Sequence, residues 1–117
     1  MHEPIEGHAV ANRSVMITHE AWAAVSERAF LEKKTINDLC VALLAQYLSQ
    51  AEPPVYHLSK SPRREKTAHT LYTSDELWSQ AHRLKGLQGR TISAILEQLI
   101  RAYTGLEVGE PEIRKIK

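Results

Sequence analysis

The sequence holds a single cysteine, Cys40, and no apolar run near the eighteen or so residues of a membrane span. One cysteine excludes an internal disulfide and suits a reducing compartment, so a cytoplasmic location and no membrane partner are expected. Charge of one sign is scarce too: Lys and Arg number 15, Asp and Glu 14, leaving a net +1. Neutralised phosphates dominate nucleic-acid affinity, and proteins held mainly by phosphate are usually more basic than this. There is no nucleophile–base pair, no Cys/His ligand spacing and no glycine-rich phosphate loop. Neither an enzyme nor a cofactor or metal is expected, and the isolated His2 and His8 read as solvated. Residues 1–12 are polar and acidic, unlike a signal peptide.

What is present is ordinary in amount and unusual in order. A chain of 117 residues, 43% apolar and 25% charged, fits one globular domain with one real core. Within it "RSVMITHEAW" at Arg13–Trp22 returns as "HTLYTSDELW" at His69–Trp78. Trp22 and Trp78 lie 56 residues apart, and that offset holds without a gap from Asn12 to Leu106. It aligns Glu20/Glu76, Trp22/Trp78, Leu31/Leu87, Thr35/Thr91, Ile36/Ile92, Leu43/Leu99 and Tyr47/Tyr103. Self-similarity at fixed spacing marks a duplicated unit.

Each copy reads as strand, helix, helix. Val15 and Ile17 share one face of an alternating segment, with Asn12, Ser14 and Met16 on the other. Leu71 and Thr73 repeat the inner face; Ala68, Thr70 and Tyr72 repeat the outer one. Thr18 and Ser74 can cap the first helices, whose stripes are Trp22, Val25, Ala29 and Phe30, and Leu77, Trp78, Ala81 and Leu84. "LEKK" at Leu31–Lys34 and "KGLQGR" at Lys85–Arg90 interrupt these patterns, Gly86 and Gly89 suiting a helix stop. Thr35 and Thr91 cap second helices with apolar faces too wide for a lone surface helix. Cys40 falls on such a face and reads as inert packing, while Trp22 and Trp78 read as core anchors. The expected division is a flexible tail at 1–11, a first unit at 12–50, a linker at 51–67, a second unit at 68–105 and a C-terminal tail at 106–117, whose last residues, "EPEIRKIK" at 110–117, read as unstructured. The linker ends in "KSPRREK" at Lys60–Lys66, the main basic cluster. A single unit cannot bury its second helix or pair its strand. Two units solve both problems by pairing strands antiparallel and crossing helices.

This pattern of short strand, Thr/Ser cap, "E-L-W" helix, "G-R-T" turn and long apolar helix resembles the ribbon–helix–helix (Arc/MetJ/CopG-like) superfamily. His69–Tyr103 is the closer match and Arg13–Leu48 the plainer one, together about two-thirds of the chain. The resemblance implies a mainly α fold with a two-stranded antiparallel ribbon, the two units fused as an intramolecular pseudo-dimer. It further implies double-stranded DNA as partner, with the ribbon in the major groove, and a role as a transcriptional regulator such as a repressor. Carried over by position, base contacts fall to Asn12, Ser14, Met16, Ala68, Thr70 and Tyr72. Phosphate contacts fall to Lys34, Thr35 and Ile36, and to Arg90, Thr91 and Ile92. The basic linker adds Arg63, Arg64 and Lys66. Family members often carry Arg, Lys, Asn or Gln at reader positions; two hydroxyls, a methionine and a tyrosine dominate here. Self-association into a pseudo-tetramer on DNA is a further implication. Alternatives within the family are a plasmid relaxosome or partition accessory protein and an antitoxin, with a relaxosome component or a toxin as protein partner. Another class is a protein-interaction module that kept the fold and lost DNA binding.

Overall fold

The computed structural model describes residues 10–57 and 65–112. In chain order it forms β1 (Val10–Thr18), α1 (His19–Leu31), α2 (Ile36–Leu48), β2 (Tyr56–His57), β3 (Lys66–Ser74), α3 (Asp75–Gln88), α4 (Ile92–Thr104) and β4 (Glu110–Pro111). The protein is mostly helical, and β1 and β3 form a two-stranded antiparallel sheet along their whole length, from Val10 opposite Ser74 to Thr18 opposite Lys66. Under the 56-residue shift β1 falls on β3, α1 on α3 and α2 on α4, within one residue at every boundary.

Local chemistry explains where the helices start and stop. The hydroxyls of Thr18, Thr35, Ser74 and Thr91 accept hydrogen bonds from the amides of Ala21, Asp38, Leu77 and Ala94, satisfying one free donor at each start. Helix α3 runs through Gly86 and stops at Gly89, which takes the left-handed conformation with φ 68°. The equivalent position in the first copy is Lys33, which adopts φ 59° without the freedom of glycine.

The strands alternate as their sequence requires. Val15, Ile17 and Leu71 point inward and meet Ala21, Val25 and Ala29 of α1, Leu39 and Cys40 of α2, and Leu96 and Ile100 of α4. A second cluster joins Leu44 and Tyr47 of α2 to Ala81 of α3 and Ile92 and Ile95 of α4. Helices from both halves thus share both clusters. Burial pushes the Cys40 thiol up to about 12, so it stays protonated and inert at neutral pH.

Three expectations change. Phe30 is 81% exposed, because α1 buries Ala21, Val25 and Ala29 at a spacing of four and position 30 lies about 100° off that stripe. Residues 106–112 are ordered: β4 pairs with β2 from the linker, the Glu112 amide donates to the Val55 carbonyl at 2.8 Å, and Leu106 packs against the core. The strands also reach further than expected, β1 taking in Val10 and Ala11 and β3 starting at Lys66. The rest of the two tails, 1–9 and 113–117, lies outside the described residues.

The sequence patterns did not reveal a buried polar network that joins the two halves at one corner. Glu97 accepts from the Thr18 amide at 2.9 Å and from its hydroxyl at 2.6 Å. Arg101 donates to Glu97 at 2.7 Å, to Glu20 at 2.9 Å and to the Glu107 carbonyl at 3.2 Å. The equivalent positions in the first copy are Val41 and Ala45, so the network has no counterpart there. Removing one member of a buried pair strands the other charge. Glu97→Ala is expected to lower stability by about 3–5 kcal/mol in urea unfolding, and Glu97→Gln, which keeps an acceptor for the Thr18 amide, by clearly less. Lys33→Gly relieves the left-handed strain and is expected to raise the urea midpoint, by about 0.5–1 kcal/mol of stability.

Candidate functional site

The outer face of the ribbon carries all six residues expected to read bases. Asn12, Ser14, Met16, Ala68, Thr70 and Tyr72 are exposed, Met16 to 39% and Tyr72 to 50%, while Val15, Ile17, Leu71 and Thr73 beneath them are buried. The register sets Asn12 opposite Tyr72, Ser14 opposite Thr70 and Met16 opposite Ala68. Ser14 and Thr70 are themselves repeat equivalents, so the ribbon is centred on its own midpoint.

Two strands alone have two open edges, and here side chains from the second helices close part of each. Asn37 of α2 accepts from the Tyr72 amide at 2.7 Å and donates to the Tyr72 carbonyl at 3.0 Å. On the opposite edge the Ser93 hydroxyl of α4 accepts from the Met16 amide at 2.9 Å. Asn37 and Ser93 are repeat equivalents, as are Tyr72 and Met16. Because those amides point away from the ladder, Asn12/Tyr72 and Met16/Ala68 are non-hydrogen-bonded pairs, whose side chains stand closer together. These bonds also bring the starts of α2 and α4 against the two flanks of the ribbon. Sequence reasoning missed Asn37 and Ser93; their one signal was a polar residue at equivalent positions in the first turns of apolar helices.

A second pair of contacts fixes the ribbon from below. His69 of β3 stacks on Trp22 of α1 with ring centroids 3.7 Å apart, and its equivalent, Arg13 of β1, lies over Trp78 of α3 at 5.5 Å. Each strand is thereby held to the first helix of the other half. Arg13 also bonds Asp75 at 3.1 Å. Burial, and secondarily the neighbouring His19, push His69 below the ordinary imidazole value, favouring the neutral ring in the stack.

The residues expected at phosphates divide. Thr35 and Thr91 are exposed caps, Ile36 is half-buried and Ile92 buried. Lys34 is half-exposed and lies 3.6 Å from Glu32. Arg90 turns inward: it donates to the Tyr47 hydroxyl at 2.8 Å, to Gln88 at 2.9 Å and to the Tyr56 carbonyl at 3.1 Å. The reason is a tyrosine hook used in both halves. Tyr47 at the end of α2 meets Gln88 and Arg90, while its equivalent Tyr103 donates to Glu32 and carries Arg28 over its ring. Lys66 sits half-buried at one end of the ribbon, opposite Thr18. Arg63 and Arg64 lie outside the described residues. The start of α2 carries Asp38 in its first turn, whereas α4 carries no acid there, so α4 offers an anion the more favourable helix end.

Among the described residues no three His, Cys, Asp or Glu side chains gather where they could hold a metal ion, and no helix is long and apolar enough to cross a membrane. Removing the clamps should act locally: in Ser93→Ala the Met16 amide, and in Asn37→Ala the Tyr72 amide, should exchange hydrogen at least tenfold faster while the remaining ladder amides keep their protection. Uniform acceleration along both strands would show instead that the ribbon opens as a unit. Comparison with family models, with curated proteins and with solved structures finds no match to this chain.

Proposed function

We propose that the chain is a tandem ribbon–helix–helix protein, folded as an intramolecular pseudo-dimer, that binds double-stranded DNA and regulates transcription. The observation that carries this reading is the outward face of the β1–β3 ribbon, flanked on both edges by the starts of α2 and α4. The major groove of B-DNA, about 12 Å wide, admits a two-stranded ribbon. Helix starts at the flanks then meet the phosphate walls, where free amides and the positive helix end suit an anion. In this arrangement Ser14 and Thr70 sit at the centre of the contact, able to bond either base type.

Arg90 is the less available of the two cations at the helix starts, since three of its five donors serve the Tyr47 hook. Further cations at the phosphates come from Lys34, Lys66 and the basic linker, and the salt dependence of affinity follows the number of phosphates they reach. A second reading has one observation in its favour. Met16 and Tyr72 are large apolar side chains left exposed on the outer face of the ribbon, a surface suited to a protein partner.

Titrating a randomised duplex pool across a salt series separates the two. The DNA reading expects the logarithm of affinity to fall linearly with the logarithm of salt, by about 0.9 for each phosphate engaged. Ser14→Asp with Thr70→Asp, both on the exposed face, should abolish binding and leave the unfolding midpoint within experimental error. Absence of binding by the unmodified chain at low salt would sink the DNA reading and leave the protein-partner one.

A further inference from the structure

The ribbon's outward chemistry is sorted along its length. In an antiparallel pair of identical strands the two ends of the ribbon would carry the same pair of residues. Here the copies differ at two outward positions of three in a way that breaks this equality: Ala68 stands where the first copy has Asn12, and Tyr72 where it has Met16. The register turns those differences into a gradient. Asn12 and Tyr72 face each other at one end, an amide beside a phenol; Met16 and Ala68 face each other at the other, both apolar; the hydroxyls of Ser14 and Thr70 lie between. Among the described residues the Asn12 side-chain amide carries no hydrogen bond, so its donor and acceptor remain available. Nothing in the packing demands this segregation, because all six side chains are exposed.

We infer that the ribbon recognises a directional, non-palindromic duplex, its Asn12–Tyr72 end reading a hydrogen-bonding purine edge, adenine foremost, and its Met16–Ala68 end reading thymine methyl groups. The inference rests on the DNA-binding reading above. An asparagine amide matches the adjacent donor and acceptor of adenine in the major groove, and an apolar side chain matches the methyl of thymine, the one apolar group displayed there. Asn12 and Met16 are four residues apart on one strand, about 13 Å, so the two preferences fall roughly four base-pair steps from each other at a rise of about 3.4 Å. The serine–threonine pair between them accepts or donates and discriminates little. Protein and site therefore have one matched orientation: turning the chain end for end places the amide against methyl groups and the methionine against polar edges.

The test uses the full chain. Duplexes selected from a randomised pool are sequenced, and the recovered site is remade with uracil for thymine, or 7-deaza-adenine for adenine, in one half at a time. Uracil should weaken binding about fourfold per contacted methyl, the worth of one buried methyl group, and only in the half met by Met16. Loss of the adenine N7 acceptor should weaken binding only in the other half. Met16→Ala should erase the uracil effect and spare the deaza-adenine effect, and Asn12→Ala should do the reverse; both positions are exposed and neither change disturbs the core. A palindromic site, or equal sensitivity in both halves, overturns the inference while leaving DNA binding intact. Failure to retain any duplex overturns both.

Discussion

The pairing of β1 with β3 is the constraint on which the rest of the molecule depends. A lone nine-residue strand has a full set of unpaired backbone groups, and a lone amphipathic helix pair leaves the wide face of its second helix uncovered. When the strands pair along their whole length, Val15, Ile17 and Leu71 form a continuous apolar floor. The helices of both halves then close over that floor. The edges left by a two-stranded sheet are the expected weakness, and Asn37 and Ser93 answer it from opposite sides. Backbone pairing, core closure and edge protection therefore all draw on residues from both halves.

The two halves, whose elements correspond under the 56-residue shift, solve the same problem differently. At the strand-to-helix corner of the first copy, Thr18 is tied to Glu97 and Arg101, and its hydroxyl serves as cap and as hydrogen-bond donor at once. The matching corner at Ser74 caps its helix without such a network, and the residues that would supply it are Val41 and Ala45. A homodimer must place any buried charge twice. This chain places it once, fixing α4 against β1 and meeting the desolvation penalty of a buried ion pair only once. The tyrosine hooks diverge likewise: Tyr103 meets a carboxylate at Glu32, and Tyr47 meets an amide and a guanidinium at Gln88 and Arg90. This is why Arg90, expected at a phosphate, is half-buried with its guanidinium turned toward Tyr47.

Much of the backbone was legible because it obeys local rules. Period-two alternation gave the faces of both strands, and four Thr or Ser caps gave every helix start. The 56-residue offset fixed which segments correspond. Contacts between the halves were far less legible. Asn37 and Ser93 look like ordinary first-turn residues until the opposite strand is beside them. Glu97 and Arg101 look like a surface pair at a spacing of four, since helical periodicity cannot say that the polar side of α4 will be roofed by Thr18, Glu20 and the chain after Gly105. Residues 106–112 carry no strand signal of their own, and their order comes from Val55 and β2, about fifty residues earlier. The outward ribbon residues were found by elimination: once the inner face is apolar, the other face has to be exposed, whatever its chemistry.

Side chains that hold the fold are bound by packing, and here even cationic ones are drawn into that service: Arg13 over Trp78, Arg28 over Tyr103, Arg90 on Tyr47, Arg101 on Glu97. Long-range attraction is weakened accordingly, because each of these charges is matched or covered. The outer face of the ribbon is under no such demand, so its three residue pairs can vary without disturbing the core. Of the four arginines only Arg101 is buried; the other three are half-buried, with their guanidinium groups turned toward partners in the fold. Which side chains share an end of the ribbon's outer face is set by the register of β1 on β3.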